Sequence, residues 1–239
     1  MKRNIFFITL FSFIISVSFA QNKNTNWSYG VKAGVNLSFM SRGDLDRDIF
    51  SSDVMLGFNG GFKVAYNFTP VIGISSELVV STQNYSMIFI AGYSDEGEKW
   101  LGNIRYYTTN LSIPLLLTVN INRNFTVEVG AQYSYKLFVR DLLDCPYMAI
   151  LITYPHYSYK EFSAKVFNRS DVSGILGLSY KFNSKFGLSL RYMHGFIPAV
   201  ETIKFNVGKP DNAANVLESI DRDFNPLLRS VQLYFEYTF

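Results

Sequence analysis

Apolar and polar residues alternate with a period of two along one segment of this sequence after another. From position 29 to 39, the odd positions are Tyr, Val, Ala, Val, Leu and Phe, whereas the even positions are Gly, Lys, Gly, Asn and Ser. Successive side chains of a β-strand point to opposite faces, so this pattern gives a strand one apolar face and one small or polar face. The chain therefore predicts an all-β fold.

Eight segments carry the pattern, and their connections alternate in length. Short connections are expected at 69–70, 122–124 and 183–185, and long ones at about 41–54, 91–103, 140–170 and 200–228. Short turns at one end and long loops at the other are typical of transmembrane barrels. The sequence therefore predicts an eight-stranded antiparallel transmembrane β-barrel, with both termini and the short turns on the periplasmic side.

A soluble β-sandwich or a lipocalin-like barrel would also alternate, but its outer face would carry charge. Here the second face mixes glycine, serine and asparagine with isolated charges, which suits a lumen. Aromatic residues of the apolar face stand near the short turns, where an interfacial girdle is expected. These residues are Tyr29, Phe68, Phe125, Phe182, Phe186 and Phe239.

The third long connection leaves the strand number open. Its apolar stretch 148–154 forms either a loop hairpin with 157–167 or an added strand pair that would make ten strands. Glu161 and Lys165 lie on the same side as Tyr157 and Tyr159. Because a lipid-facing strand tolerates charge poorly, the loop hairpin is favoured, and ten strands are the less favoured alternative.

The first 20 residues have the layout of a secretory signal. Lys2 and Arg3 precede an apolar block from Ile5 to Phe19, and small residues stand before a cleavage site at Gln21. The block is shorter than the roughly 20 residues that a spanning helix needs. We therefore predict a signal peptide at 1–20, a barrel domain at 21–239, and a location in the bacterial outer membrane.

Charge and cysteine content exclude several other classes of protein. The formal net charge of the full chain is +3, and its basic residues are scattered, so no nucleic-acid partner is expected. Cys145 is the single cysteine and has no histidine or second thiol in metal-ligand spacing. The sequence predicts no metal site and no cofactor.

Charged residues on the polar faces are candidates for a site inside the barrel. Eight strands enclose a space that side chains just fill, and an unpaired buried charge is costly, so these residues should pair across the lumen. We expect them to block water at mid-height around Glu77, Glu128 and Arg191, with Lys32 and Lys181 solvated near the rims. The predicted lumen charge network consists of Lys32, Lys63, Glu77, Glu128, Lys136, Arg191 and Glu236.

The last strand ends the chain and carries an apolar or aromatic residue at every second position. These residues are Leu233, Phe235, Tyr237 and Phe239. Such a strand resembles the recognition signal of the barrel-assembly machinery. We therefore predict that this machinery is a partner of the chain.

Several short motifs resemble the PorT-type outer-membrane β-barrel family. They are GVKAGVNLSF at 30–39, NLSIPLLLTVN at 110–120, VSGILGLSYKF at 172–182, LRYMHGF at 190–196 and the terminal YTF. The resemblance implies an eight-stranded barrel, and it implies no catalytic residues. The namesake of the family is associated with secretion of surface proteases.

Three classes of function follow from these patterns. An outer-membrane lipid-modifying enzyme would need a histidine with a serine and an acid, and the histidines are His156 and His194. Neither stands in a recognisable catalytic pattern, so we predict that the chain is not an enzyme. Long loops favour a surface-binding or envelope-structural barrel over a narrow pore or a secretion accessory. Its expected partners are outer-membrane lipid and an extracellular ligand or envelope protein.

Overall fold

The structure, a computed structural model, describes residues 26–41, 50–93, 99–144, 168–199 and 226–239. The predicted signal peptide, Cys145, His156 and the stretch 148–167 lie outside these residues. Within the described residues, no helix is long and apolar enough to cross a membrane. The described part of the chain forms eight long strands: β1 Trp27–Met40, β2 Met55–Asn67, β3 Ile72–Tyr93, β4 Lys99–Asn120, β5 Phe125–Asp144, β6 Ser170–Lys181, β7 Phe186–Pro198 and β8 Leu227–Thr238.

The eight strands close into a barrel. Each strand pairs antiparallel with the next one in the chain, and β1 pairs with β8 from Gly30↔Thr238 to Met40↔Leu228. A two-residue strand, Phe50–Ser51, pairs with β3 at Phe89 and Ile88. Closure removes the free edges of the eight-stranded sheet, as a spanning barrel requires. The predicted eight-stranded antiparallel barrel is confirmed.

The apolar face of the barrel points outward. On β4, the outward side chains of Ile113, Leu115 and Leu117 are 50%, 56% and 45% exposed, whereas the inward side chains of Ser112 and Thr118 are buried. Apolar wall outside and polar lumen inside is the arrangement of a barrel surrounded by lipid. Ten residues of tilted strand, such as 110–119, span about 25 Å, the height of the apolar band of such barrels.

Polar side chains fix the three short turns. In the second turn, the side-chain oxygen of Asn122 accepts hydrogen bonds from the backbone N–H groups of Asn124 and Phe125, both at 2.8 Å. Asn183 does the same for Lys185 and Phe186 in the third turn. Such bonds imitate a backbone turn, which explains why these residues interrupt the alternation. Aromatic rings next to the turns pack edge to face, at 5.3 Å for Tyr180–Phe182, as expected for an interfacial girdle.

Two expected loops begin later than the sequence indicates. β3 and β4 are each 22 residues long and pair as far as Tyr93↔Lys99, and β5 continues to Asp144. The predicted loop bounds 91–103 and 140 are therefore wrong. Above the apolar band neither face is lipid-facing, so the period-two signal fades although the backbones remain paired. We call residues 84–93, 99–107 and 140–144 the projecting sheet.

A β-bulge interrupts β5. Lys136 pairs with Asn110 of β4, but Phe138 pairs with Thr109, so Leu137 is an extra residue. Apolar residues occupy the odd positions of the sequence from Phe125 to Val139, which predicts an unbroken strand, but the bulge reverses the faces above Lys136. As a result, Leu137 and Phe138 are both exposed on the outer wall, by 42% and 72%.

Candidate functional site

Ion pairs cross the lumen at mid-height. Six of the seven residues predicted for the lumen charge network form one connected chain of pairs. In the order of contact, they are Lys32, Glu77, Arg191, Glu128, Lys63 and Glu236. They come from strands β1, β2, β3, β5, β7 and β8. Three cations face three anions, so this lumen charge network is neutral.

Arg191 lies at the centre of the network. Its Nη1 and Nη2 atoms each donate a 2.8 Å hydrogen bond to one carboxylate oxygen of Glu77, and its Nε donates a 2.7 Å bond to Glu128. All three side chains are almost fully buried. Glu77 also accepts a hydrogen bond from the buried Lys32. Paired, hydrogen-bonded charges of this kind are stronger than neutral hydrogen bonds and fix the relative positions of the strands that carry them.

The periplasmic end of the network faces a small cavity. Lys63 donates 3.1 Å hydrogen bonds to both Glu128 and Glu236. The Lys63 and Glu236 side chains keep 19% and 14% exposure, and they line a cavity of about 260 Å³ together with Lys181. The lumen is thus open to the level of Lys63 and closed beyond it.

Two further residues, Tyr234 and Gly177, lie against the lumen charge network and were not predicted from the sequence. The Lys32 ammonium lies 3.7 Å from the ring centroid of Tyr234, and the Arg191 guanidinium lies 5.4 Å from the same ring. Gly177 pairs with Arg191 on one side and Glu128 on the other, and a Cβ there would stand 2.8 Å from Arg191 Cγ. An aromatic residue and a glycine at inward positions were the available signals.

Layers of other side chains fill the lumen above the network. An apolar layer of Leu116, Ile175 and Met193 lies directly on its extracellular side, with all three residues at 3% exposure or less. Hydrogen-bonded polar groups follow, including Asn110 with Gln83 at 2.8 Å. The lumen is therefore filled and largely polar, but it contains an apolar layer that the alternation did not predict.

The remaining predicted lumen cations lie apart from the network or differ from expectation. Lys136 lies next to the bulge, where its ammonium donates a 2.6 Å hydrogen bond to the Asn168 carbonyl. Lys181 is exposed at the periplasmic rim. The expectation that Lys32 would be solvated near a rim is wrong, because Lys32 is 3% exposed and pairs with Glu77. Lys32 is the sixth of the 14 residues of β1, so it lies near the middle of the strand.

Leu233, Phe235 and Tyr237 of the predicted assembly signal lie on the outward face of β8, and Phe239 directly follows the strand. Leu233 and Phe235 are 39% and 50% exposed. The Tyr237 ring contacts Phe186 and Phe239, with centroids 5.2 and 5.6 Å apart. The aromatic end of β8 thus belongs to the periplasmic girdle.

Of the two histidines considered for catalysis, the described residues include His194. His194 lies on the outer wall, and its Nδ1 is 3.3 Å from the hydroxyl of Tyr192. Within the part of the chain that the structure describes, no three His, Cys, Asp or Glu residues are grouped to hold a metal ion.

A closed barrel with an apolar outer wall, a filled lumen and an aromatic girdle defines an integral protein of the bacterial outer membrane. A family profile matches residues 19–201 of the sequence and is described as "Outer membrane protein beta-barrel domain". The chain belongs to this family. Its location is accordingly the bacterial outer membrane, where lipid surrounds the barrel.

Solved structures that resemble the chain are small outer-membrane proteins. The attachment invasion locus protein Ail of Yersinia pestis is 12% identical, with 90% of this chain and 99% of that chain covered and a TM-score of 0.40. OprG of Pseudomonas aeruginosa is 11% identical, with 90% and 97% covered and a TM-score of 0.39. Outer membrane protein W of E. coli is 13% identical, with 90% and 100% covered and a TM-score of 0.37. Among curated protein sequences, none matches the chain.

Proposed function

We propose that the protein is a non-catalytic barrel that presents a binding surface outside the cell for an extracellular ligand or another envelope protein. The projecting sheet is the observation that carries this proposal. β3, β4 and β5 are 20 to 22 residues long, whereas the other five barrel strands are 12 to 14 residues long. Nine residues of strand beyond the band, such as 99–107, correspond to about 30 Å of paired backbone. A hydrogen-bonded sheet is a stiffer support for a binding surface than a loop.

The filled lumen supports the same proposal by leaving no route for transport through the barrel. The lumen charge network is neutral and buried, so it offers no unpaired charge of one sign to attract ions. The apolar layer at Leu116 and Met193 closes the path above it. The surfaces that remain for function are the outer wall and the extracellular end.

The finer family placement and the partners are part of the proposal. The motifs at 30–39, 110–120 and 172–182 support a place among the PorT-type barrels. The outward aromatic residues of β8 support insertion by the barrel-assembly machinery. The hydrogen bond of His194 to Tyr192 on the outer wall supports a role without catalysis, because it leaves that imidazole without a serine or carboxylate partner among the described residues.

Site-specific photo-crosslinking in intact cells tests the proposal. A benzophenone amino acid at Tyr93, in the projecting sheet, is expected to crosslink a defined extracellular or envelope component. The same group at Phe68, in a periplasmic turn, is the matched control and should not crosslink that component.

Two results would contradict the proposal. A shift in lipid A mass on deletion of the gene would indicate a lipid-modifying enzyme. Loss of surface-protein export on deletion, with no crosslink at position 93, would indicate a secretion accessory.

A further inference from the structure

The bulge in β5 turns an arginine out of the lumen. In an unbroken strand, even positions of β5 continue the inward set of Glu128 and Lys136, and Arg140 would point into the lumen. The extra residue Leu137 reverses this, so Arg140 pairs with the outward residue Tyr107 and is exposed. Bulges commonly re-aim a side chain at the rim of a barrel.

A groove of about 500 Å³ lies on the outer wall at this point. Its lining combines hydroxyl, amide, aromatic and cationic groups from three neighbouring strands. The groups used here are those of Thr82, Asn84, Tyr107, Thr109, Phe138 and Arg140. The outward residues below it on β4, Ile113 and Leu115, belong to the apolar band. The groove therefore lies where the band ends on the extracellular side, at the level of lipid headgroups.

A second arginine stands beside the groove. Arg105 pairs with Leu142, two residues along β5 from Arg140, so the two arginines are diagonal neighbours on one face. Diagonal neighbours of a β-ladder lie about 7–8 Å apart, within reach of long side chains. None of the ion pairs in the described part of the chain involves Arg105 or Arg140.

On the strands, the described charged side chains of the outer wall are cations, whereas the lumen holds charges of both signs. Among strand side chains that the structure describes, the carboxylates of Glu77, Glu128, Glu236 and Asp171 face inward. Arg105 and Arg140 face outward, as does Arg229, which pairs with the outward residues Phe39 and His194 on the other side of the barrel. The strand side chains that carry charge at this end of the apolar band are thus cations, and the exposed carboxylate of Asp53 lies off the strands, next to Val54, which bridges to Tyr85.

We propose that Arg105, Arg140 and the adjoining groove bind the phosphate of an anionic lipid headgroup in the outer leaflet. A guanidinium matches a phosphate with two parallel hydrogen bonds, which a choline-shielded headgroup satisfies less well. The Tyr107 and Thr109 hydroxyls add donors, and the exposed ring of Phe138 contacts the first acyl carbons. Basic pockets on the wall of a membrane protein recognise headgroups in this way.

Lipid retention measured by native mass spectrometry tests this proposal. The full barrel is reconstituted with phosphatidic acid and phosphatidylcholine, extracted in mild detergent, and its bound lipids are counted. We expect the wild type to retain phosphatidic acid in preference to phosphatidylcholine. In the double variant R105Q/R140Q this preference should be about tenfold smaller, which corresponds to the loss of one charge-assisted contact.

The matched control is R123Q/K185Q, which removes two exposed cations at the periplasmic turns. Heat-modifiable migration on gels verifies that both variants are folded. The proposal is overturned if R105Q/R140Q keeps the wild-type preference. Equal loss in both variants would also overturn it, because the attraction would then depend only on total charge.

Discussion

Arg191 joins the two halves of the lumen charge network. It contacts Glu77 from β3 and Glu128 from β5, although neither strand is its neighbour in the sheet. Replacing a whole buried network by apolar residues is often neutral for stability, but removing a single partner leaves an uncompensated charge. Single substitutions should therefore be far more damaging than paired ones.

The substitution Glu77→Gln tests the cost of removing a single partner from the lumen charge network. It removes the carboxylate that faces both Arg191 and Lys32, and leaves the buried network with an excess positive charge. We expect the free energy of unfolding to fall by about 3–5 kcal/mol, as measured by urea unfolding of the barrel in vesicles. The exposed turn variant Arg123→Gln should change it little. Combining Glu77→Gln with Lys32→Gln should recover part of the loss, and a single variant as stable as the control would contradict the account.

Gly177 provides the space that the Arg191 side chain occupies, and we expect a larger residue there to destabilise the barrel. A methyl group in Gly177→Ala would stand 2.8 Å from Arg191 Cγ and 3.3 Å from a carboxylate oxygen of Glu128. Overpacking of this kind costs about 1–3 kcal/mol, measurable in the same unfolding experiment. Gly60→Ala is the control, because its Cβ would meet only a carbonyl oxygen at 3.4 Å. Equal effects of the two substitutions would show that Gly177 has no special role.

For single strands, the sequence shows which face points outward more reliably than it shows where the strand ends. Within the apolar band every strand has one lipid-facing side, so residues such as Leu115 and Thr118 reveal their orientation by polarity alone. Beyond the band both faces of β3 and β4 are polar or mixed, and the pattern no longer distinguishes strand from loop. The bulge at Leu137 is equally hidden, because Leu137, Phe138 and Val139 are all apolar.

Deletion of Leu137 tests the bulge. Phe138 already pairs with Thr109, so removing the extra residue should regularise the ladder and leave Arg140 outward. We expect folded barrel in near-normal yield, measured by heat-modifiable migration. Deletion of Ala131, an outward residue in a regular part of β5, should invert the face of the following residues and abolish folding. If both deletions fail alike, the bulge is not where the structure has it.

We expect the aromatic end of the terminal strand to be required for assembly of the barrel. The Phe239 ring packs against Tyr237 at the end of β8, and we propose that the assembly machinery recognises these aromatic residues. Deleting Phe239 should strongly lower the yield of barrel in isolated outer membranes, as measured by immunoblotting. Deleting Ala213 in the last long connection should leave that yield unchanged. Normal yield without Phe239 would remove the support for this signal.

The residues of the lumen charge network could be predicted from the sequence, but their ion pairs could not. Period-two alternation places Lys32, Glu77 and Arg191 on one face, and charge cost implies that they pair. Which residues pair depends on strand tilt and register, which alternation does not contain. Glu77 is the register neighbour of Lys63, yet its ion pairs are with Lys32 and Arg191, because long side chains reach across the lumen instead of along the wall.

At the scale of the whole molecule, the barrel combines a sealed interior with an asymmetric exterior. The lumen charge network and the apolar layer close the lumen, while β3, β4 and β5 extend on one side. A surface scaffold needs a stable wall and an exposed platform, whereas a channel needs a continuous wet path. The proposed function therefore depends on a closed lumen.

Single-channel recording in planar bilayers tests directly whether the lumen is closed. With purified barrel, and with a wider porin as the positive control for insertion, we expect no steady conductance steps from the wild type, because Arg191 with Glu77 and Glu128 blocks the lumen at mid-height. Large, steady single-channel steps from the folded wild type would contradict the account, because they would show a continuous water path where the structure has buried ion pairs.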